Sequence, residues 1–122
     1  MIGENAIKML TVGGGSSSLK VIYETSPLEG LQKRLGKDVK IIYARGYVGD
    51  PTGEYNGVET GQDLAENRSC EELLTEAIQV AKEADYVLFF GGLNKSKHQD
   101  CEDSDREGLE LPYEQDRVIN EL

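Results

Sequence analysis

The stretch SCEELLTEAIQVAKEADYVLFFGG, Ser69 to Gly92, decides how this chain folds. Ser69 and Glu72 stand three residues apart, the spacing of a capping box in which each side chain satisfies the other residue's backbone N–H. Leu73, Ala77, Val80, Ala81 and Ala84 then recur every three or four residues, which places them on one face of a helix. Asp85 ends that pattern, and Tyr86-Val87-Leu88-Phe89-Phe90 is apolar at every position. A short run that is apolar on both faces is expected of a central strand in a parallel sheet. A helix leading into such a strand is part of a crossover unit, so the flanking sequence should supply the rest.

Upstream, Ser26-Pro27-Leu28-Glu29 carries a second set of start signals: Ser26 as N-cap, Pro27 in the first turn and Glu29 completing a capping box. Leu28, Leu31 and Leu35 share a face, and Gly36 suits a left-handed stop. Val39 to Ala44 reads as a strand, and Ile7 to Val12 as a shorter one feeding the loop Gly13 to Ser18. A last helix is predicted to begin around Pro112 and to carry Val118, Ile119 and Leu122. Gly46 to Arg68 is rich in Gly, Asp, Glu, Asn and Thr without usable periodicity, the mark of a functional or variable loop. The order strand–helix–strand–helix–strand–helix predicts an α/β layer with right-handed crossovers. Met1 to Asn5 reads as the tail of a strand, and Leu122 leaves a helix with no C-cap, so a piece of a larger protein is expected.

Composition narrows the partners. Among 122 residues, 13 Lys and Arg face 23 Asp and Glu, a formal charge of -10, which disfavours nucleic acid or an anionic membrane as partner. The apolar run at Tyr86–Phe90 is far short of the roughly 20 residues that span a bilayer. No basic, apolar, small-residue leader opens the chain, so no signal peptide is expected. Cys70 and Cys101 lack CxxC spacing, which favours free thiols over a zinc site or a disulfide.

Two loops carry the candidate chemistry. Gly13 to Ser18 offers backbone amides and hydroxyls but matches neither the P-loop nor the dinucleotide fingerprint, so a plain turn or one lining a polar cleft is favoured. The loop Gly91 to Gly108 leaves the carboxyl end of the apolar strand, where open α/β sheets bind ligands. It holds His98, the only histidine, together with Cys101, Asp100, Glu102, Asp103, Asp105, Glu107 and Arg106. A solvated acidic loop is the plainer reading of that composition. Asp103 to Glu114 nearly reproduces a calcium loop, but Glu107, Glu110 and Pro112 break the pattern. A Cys101 nucleophile with His98 as base is disfavoured, because the two are close in sequence and no oxyanion element is evident.

Read together, "IGENA", "GGGSSS", "SPLEGLQKRLG", "KIIYARG", "EAIQVAKEADYVLFFGGLN" and "CEDSDREGLELPYEQDRVINEL" run in the order found in glycoside hydrolase family 3. The chain resembles the C-terminal α/β-sandwich domain of its β-glucosidases and β-xylosidases over nearly all 122 residues. The resemblance implies a three-layer sandwich with a mainly parallel, flavodoxin-like sheet, incomplete here, and places residues 1–122 in that domain without the N-terminal barrel. It implies a retaining mechanism whose Asp nucleophile lies on that missing barrel, and a Glu general acid/base in an E-G-x-D-R stretch. Here the stretch reads Glu102-Asp103-Ser104-Asp105-Arg106, which makes Glu102 the acid/base. Asp103 replaces the usual glycine; a second carboxylate there would either crowd the loop or raise the acid's pKa by like-charge repulsion.

By the same resemblance Asp105 and Arg106 hold the loop, and His98 lines the leaving-group side of a pocket for a β-linked glycoside. No cofactor or metal is expected, and a periplasmic or secreted location is implied. The isolated piece is expected to be inactive. The competing readings are a standalone flavodoxin-like module binding a small ligand or partner, and a calcium-binding module.

Overall fold

In the computed structural model, which describes residues 1–11, 19, 21–49, 54–55, 58–59, 62–94, 99 and 105–122, the first three residues run between two extended segments. Ile2 bridges in parallel to Ala44 on one side and to Phe89 on the other. Ile2 N–H donates to Leu88 C=O at 2.9 Å and Phe90 N–H to Ile2 C=O at 2.7 Å. On the opposite edge Ala44 N–H donates to Met1 C=O at 3.0 Å and Gly3 N–H to Ala44 C=O at 3.2 Å. Gly3 has φ 118, and a Cβ there would collide with the Phe90 carbonyl, so only glycine lets these two backbones pass.

Helix α1 spans Pro27–Leu35 and α2 spans Cys70–Glu83. Their starts follow the sequence signals. The Ser69 hydroxyl accepts Glu72 N–H at 3.3 Å while Glu72 Oε2 accepts Ser69 N–H at 2.7 Å, a closed capping box worth about 1 kcal/mol. At α1 the Ser26 hydroxyl accepts Glu29 N–H at 3.2 Å, but the Glu29 carboxylate turns to Lys33 at 2.7 Å and the Tyr23 hydroxyl at 2.9 Å. An exposed ion pair on the next turn thus takes the carboxylate expected at the cap. Gly36, at φ 61, ends the helix.

Helix α3 spans Gln115–Glu121 and starts later than predicted from Pro112. Tyr113 and Glu114 take left-handed φ values of 61° and 57°, which break the helical path until Gln115. At the other end of the chain, the strand expected over Ile7 to Val12 is absent among its described residues, 7–11. Glu4–Ala6 makes one 3-10 turn, with Lys8 N–H donating to Glu4 C=O at 3.0 Å, which takes the chain out of extended geometry.

The core lies where α2 and α3 meet the three extended segments: Ile2, Ala44, Tyr47, Leu74, Ala77 and Val118, with Val80, Ala81 and Phe89 packed against them. Of the face predicted for α2, Leu73 and Ala77 are buried, joined by Leu74. The sheet is less developed than the sequence suggested. Segments 39–44 and 86–90 pair through single bridges, and the one two-stranded sheet among the described residues is antiparallel, β1 (Glu54–Tyr55) with β2 (Val58–Glu59). That hairpin lies within the segment read as a structureless loop. Tyr86, Val87 and Leu88, expected to be covered on both faces, are exposed, Tyr86 to 88%. Tyr86 and Leu88, with Leu31, Leu35, Val39 and Ile41, border an apolar cavity of about 450 Å³ at the amino end of the extended segments. No helix among the described residues is long and apolar enough to cross a membrane.

Directly after the central segment, Glu4 is completely buried. Its Oε2 takes Arg45 Nε at 3.1 Å, Arg45 Nη2 at 2.5 Å and Gly49 N–H at 3.0 Å. Buried Lys8 faces its other oxygen at 3.6 Å. Arg45 also donates to Leu64 C=O at 2.6 Å, and Glu66 stands 3.8 Å from its far nitrogen. One carboxylate therefore ties the 3-10 turn to the segments after Ala44 and before α2.

Removing one partner of a buried pair leaves an uncompensated charge, so Glu4→Gln should cost about 3–5 kcal/mol, read as a lower urea midpoint. A second expectation concerns pH. The Arg68 guanidinium, hydrogen-bonded to Glu66, holds that carboxyl down at about 2 against an ordinary 4.5. A depressed folded-state pKa gives stability that is present above pH 4.5 and lost as pH falls towards about 2. A carboxyl NMR titration should find Glu66 ionised to that limit, and Arg68→Met should return it towards 4.5.

Candidate functional site

The carboxyl ends of the extended segments deliver Glu4 and Asn5, Arg45 to Tyr47, and Gly91 to Asn94 to one edge of the fold. Asn5 Nδ2 donates to Gly91 C=O at 3.1 Å, so the 3-10 turn holds the start of the loop that leaves the third segment. Tyr47 is buried between them. Its hydroxyl donates to Phe90 C=O at 3.3 Å, and its ring meets Phe89 at 6.3 Å and stacks on Tyr113 at 6.2 Å with 6° between planes. Burial pushes the Tyr47 phenol above its ordinary pKa, which keeps it a neutral donor.

Around this aromatic pair the polar side chains are amides. Gln115, buried at the head of α3, accepts Gly92 N–H at 2.7 Å and donates to Gly92 C=O at 3.1 Å. Gln99 Oε1 accepts Asn94 N–H at 3.0 Å, and its Nε2 donates to the Tyr113 hydroxyl at 2.6 Å. Asn94 Nδ2 reaches the same hydroxyl at 3.4 Å.

Further along, Arg106 is half-buried and fans out to backbone. Its Nε donates to Gly108 C=O at 2.6 Å, and Nη2 donates to Leu109 C=O at 2.8 Å and Glu110 C=O at 3.5 Å. A planar guanidinium with several donors can gather successive carbonyls in this way, where a lysine would serve as a single point charge. Asp116 Oδ2 accepts Leu111 N–H at 3.1 Å, fastening the end of the same stretch to α3. Asp105 is exposed.

His98, Glu102, Cys101, Asp103 and the Gly13–Ser18 loop lie outside the described residues. The segment that contains Glu102 is nonetheless bracketed by described residues on both sides, Asn94 and Gln99 before it and Asp105 to Tyr113 after it. Cys70 is an exposed free thiol at the start of α2. No group of three or more His, Cys, Asp or Glu among the described residues is arranged to hold a metal ion.

Sequence reading did not single out Tyr47, Asn94, Gln99, Tyr113 or Gln115. Apart from the Asn94–Gln99 contact, their side-chain hydrogen-bond partners lie 14 residues away or more, and an isolated amide or tyrosine carries no spacing pattern to announce such contacts. The one local signal was Pro112, whose restricted backbone precedes the left-handed pair.

The chain matches the model of the glycosyl hydrolase family 3 C-terminal domain across residues 1–122. It is also 38% identical over 123 residues to beta-glucosidase BoGH3A of Bacteroides ovatus, an alignment that covers all of this chain and 15% of that enzyme.

Proposed function

The chain belongs to glycoside hydrolase family 3, and on that premise we propose that it supplies the general acid/base of a retaining β-glucosidase-like hydrolase. The observation that carries this reading is the 38% identity to a beta-glucosidase over the whole chain, taken with the stretch Glu102-Asp103-Ser104-Asp105-Arg106, which resembles the family's E-G-x-D-R stretch. Because the matched relative is several times longer, the chain is proposed to act as one part of a longer polypeptide, with the nucleophile on a barrel outside these residues. In that setting the sandwich and its parallel, flavodoxin-like sheet would extend beyond the single bridges at Ile2.

The chemistry needs two carboxyls about 5 Å apart. One attacks the anomeric carbon and displaces the aglycone; the other protonates the departing oxygen. Glu102 takes the second role, then removes a proton from the water that releases the sugar. To donate first it must hold its proton near neutral pH, as a Glu in a raising environment can. Arg106 supports the loop by gathering the carbonyls of Gly108, Leu109 and Glu110, consistent with a holding role. Asp105 belongs to the same support, and His98 is proposed to line the leaving-group side of the pocket.

Glu102→Ala in the full-length polypeptide tests the assignment. With poor leaving groups kcat/KM should fall by about 10²–10⁴, the usual worth of acid catalysis. With a dinitrophenyl β-glucoside kcat/KM should change little, while kcat falls and is restored by azide, which needs no base to attack the glycosyl-enzyme. Unchanged rates on poor leaving groups would move the acid/base elsewhere. Residues 1–122 alone should release no nitrophenol from an aryl β-glucoside, and measurable turnover would overturn the division of labour.

A further inference from the structure

Two points of the fold, far apart in sequence, are fastened to each other on either side of Glu102. Gly92 is bound through both its N–H and its C=O by the side chain of Gln115, 23 residues later. Asn94 and Gln99 both reach the hydroxyl of Tyr113, across 19 and 14 residues. Gln99 also accepts the Asn94 backbone N–H, so its two ends join Asn94 to the Tyr113 hydroxyl that the Asn94 amide itself reaches. Asn94, Gln99 and Gln115 are each at least nine-tenths buried. The Tyr113 ring is fixed by stacking on Tyr47, which is itself bonded to Phe90 C=O.

The geometry points to a clamp. We propose that Gln99, Tyr113 and Gln115 are positioning residues, which tie Gly92 and Asn94, before the acid/base residue in sequence, to the residues that open α3 after it. The inference rests on the reading of Glu102 as acid/base, and it extends that reading to residues that touch no reacting atom.

Two physical arguments support it. Buried amides contribute little net stability over well-packed apolar groups, but fully paired ones specify one arrangement, because each alternative leaves a donor or acceptor unsatisfied. In addition, Tyr113 and Glu114 hold left-handed backbone that non-glycine residues rarely adopt, and such geometry persists only where its surroundings over-determine it. The Tyr113 hydroxyl and the Gln115 amide provide that determination, one on each side of Glu114. Acid catalysis is sensitive to placement: a displacement of about 1 Å can cost about a hundredfold in rate.

The test uses the full-length polypeptide and aryl β-glucosides of graded leaving-group pKa. Tyr113→Phe keeps the stacked ring and removes the hydroxyl; Gln99→Met and Gln115→Met keep length and remove the amides. Each should lower kcat/KM by about tenfold on the poorest leaving groups and by less than about twofold on the most activated, steepening the leaving-group dependence. Azide should partly restore kcat on the activated substrates. A purely structural role would lower the active fraction and shift all substrates by one factor. The slope comes from rate ratios, so it stays readable even where a variant folds poorly. If Glu102→Ala steepens the slope and the three variants leave it parallel to wild type, the clamp is overturned and the acid/base reading stands. If Glu102→Ala leaves the slope unchanged and azide rescues nothing, both fall.

Discussion

The fold depends on a carboxylate that has no access to water. Glu4 follows directly on the residues that sit between the other two extended segments, and it is held by Arg45, Gly49 and Lys8 rather than by solvent. Desolvating that charge is costly, and only well-aligned opposite charge and hydrogen bonds offset it. Arg45 meets the requirement while also reaching Leu64, so the residues before α2 are drawn to the carboxyl edge of the fold. Such an arrangement fixes geometry more than it adds stability. It sets the height at which Asn5 meets Gly91, and therefore where the loop after the third segment begins.

From that edge the remaining order spreads through Tyr47. Its hydroxyl reads the backbone at Phe90 and its ring carries Tyr113, so the chain before and after the acidic loop is registered against one side chain. Arg106 and Asp116 continue this on the C-terminal side, each satisfying backbone groups that a short irregular stretch would otherwise leave to water. Around Tyr47 and Tyr113 the edge is thus closed by neutral amides, while Glu4, Arg45, Arg106 and Asp116 serve the backbone on either side.

How much of this was legible varied with the range of the forces involved. Helices α1 and α2 were readable because serine caps and apolar spacing act within a few residues. The start of α3 was misjudged, since Pro112 signals a first turn but the left-handed Tyr113 and Glu114 are stabilised by partners that sequence does not reveal. Apolar segments 39–44 and 86–90 were found, though not that they pair only through Ile2 or that Tyr86 is exposed. The hairpin of β1 and β2 was passed over despite the intervening Asn56-Gly57, a dipeptide suited to two-residue connections. Glu4 was invisible as a core residue, because glutamate is almost never fully buried unless paired. For the site, family resemblance pointed to Glu102, Asp105 and Arg106, whereas the amides that bracket them are legible only in three dimensions.

The link between Gln115 and Gly92 has a bearing on how such a protein can change. Closing a loop costs entropy that grows only slowly, with the logarithm of its length. Once side chains outside the segment bind its two ends together, most of that cost has been met by the scaffold. Residues between Gln99 and Asp105 can then be lengthened, shortened or exchanged for those of a relative with little penalty to folding. Exchanging that stretch between family members then asks little of the scaffold that holds it.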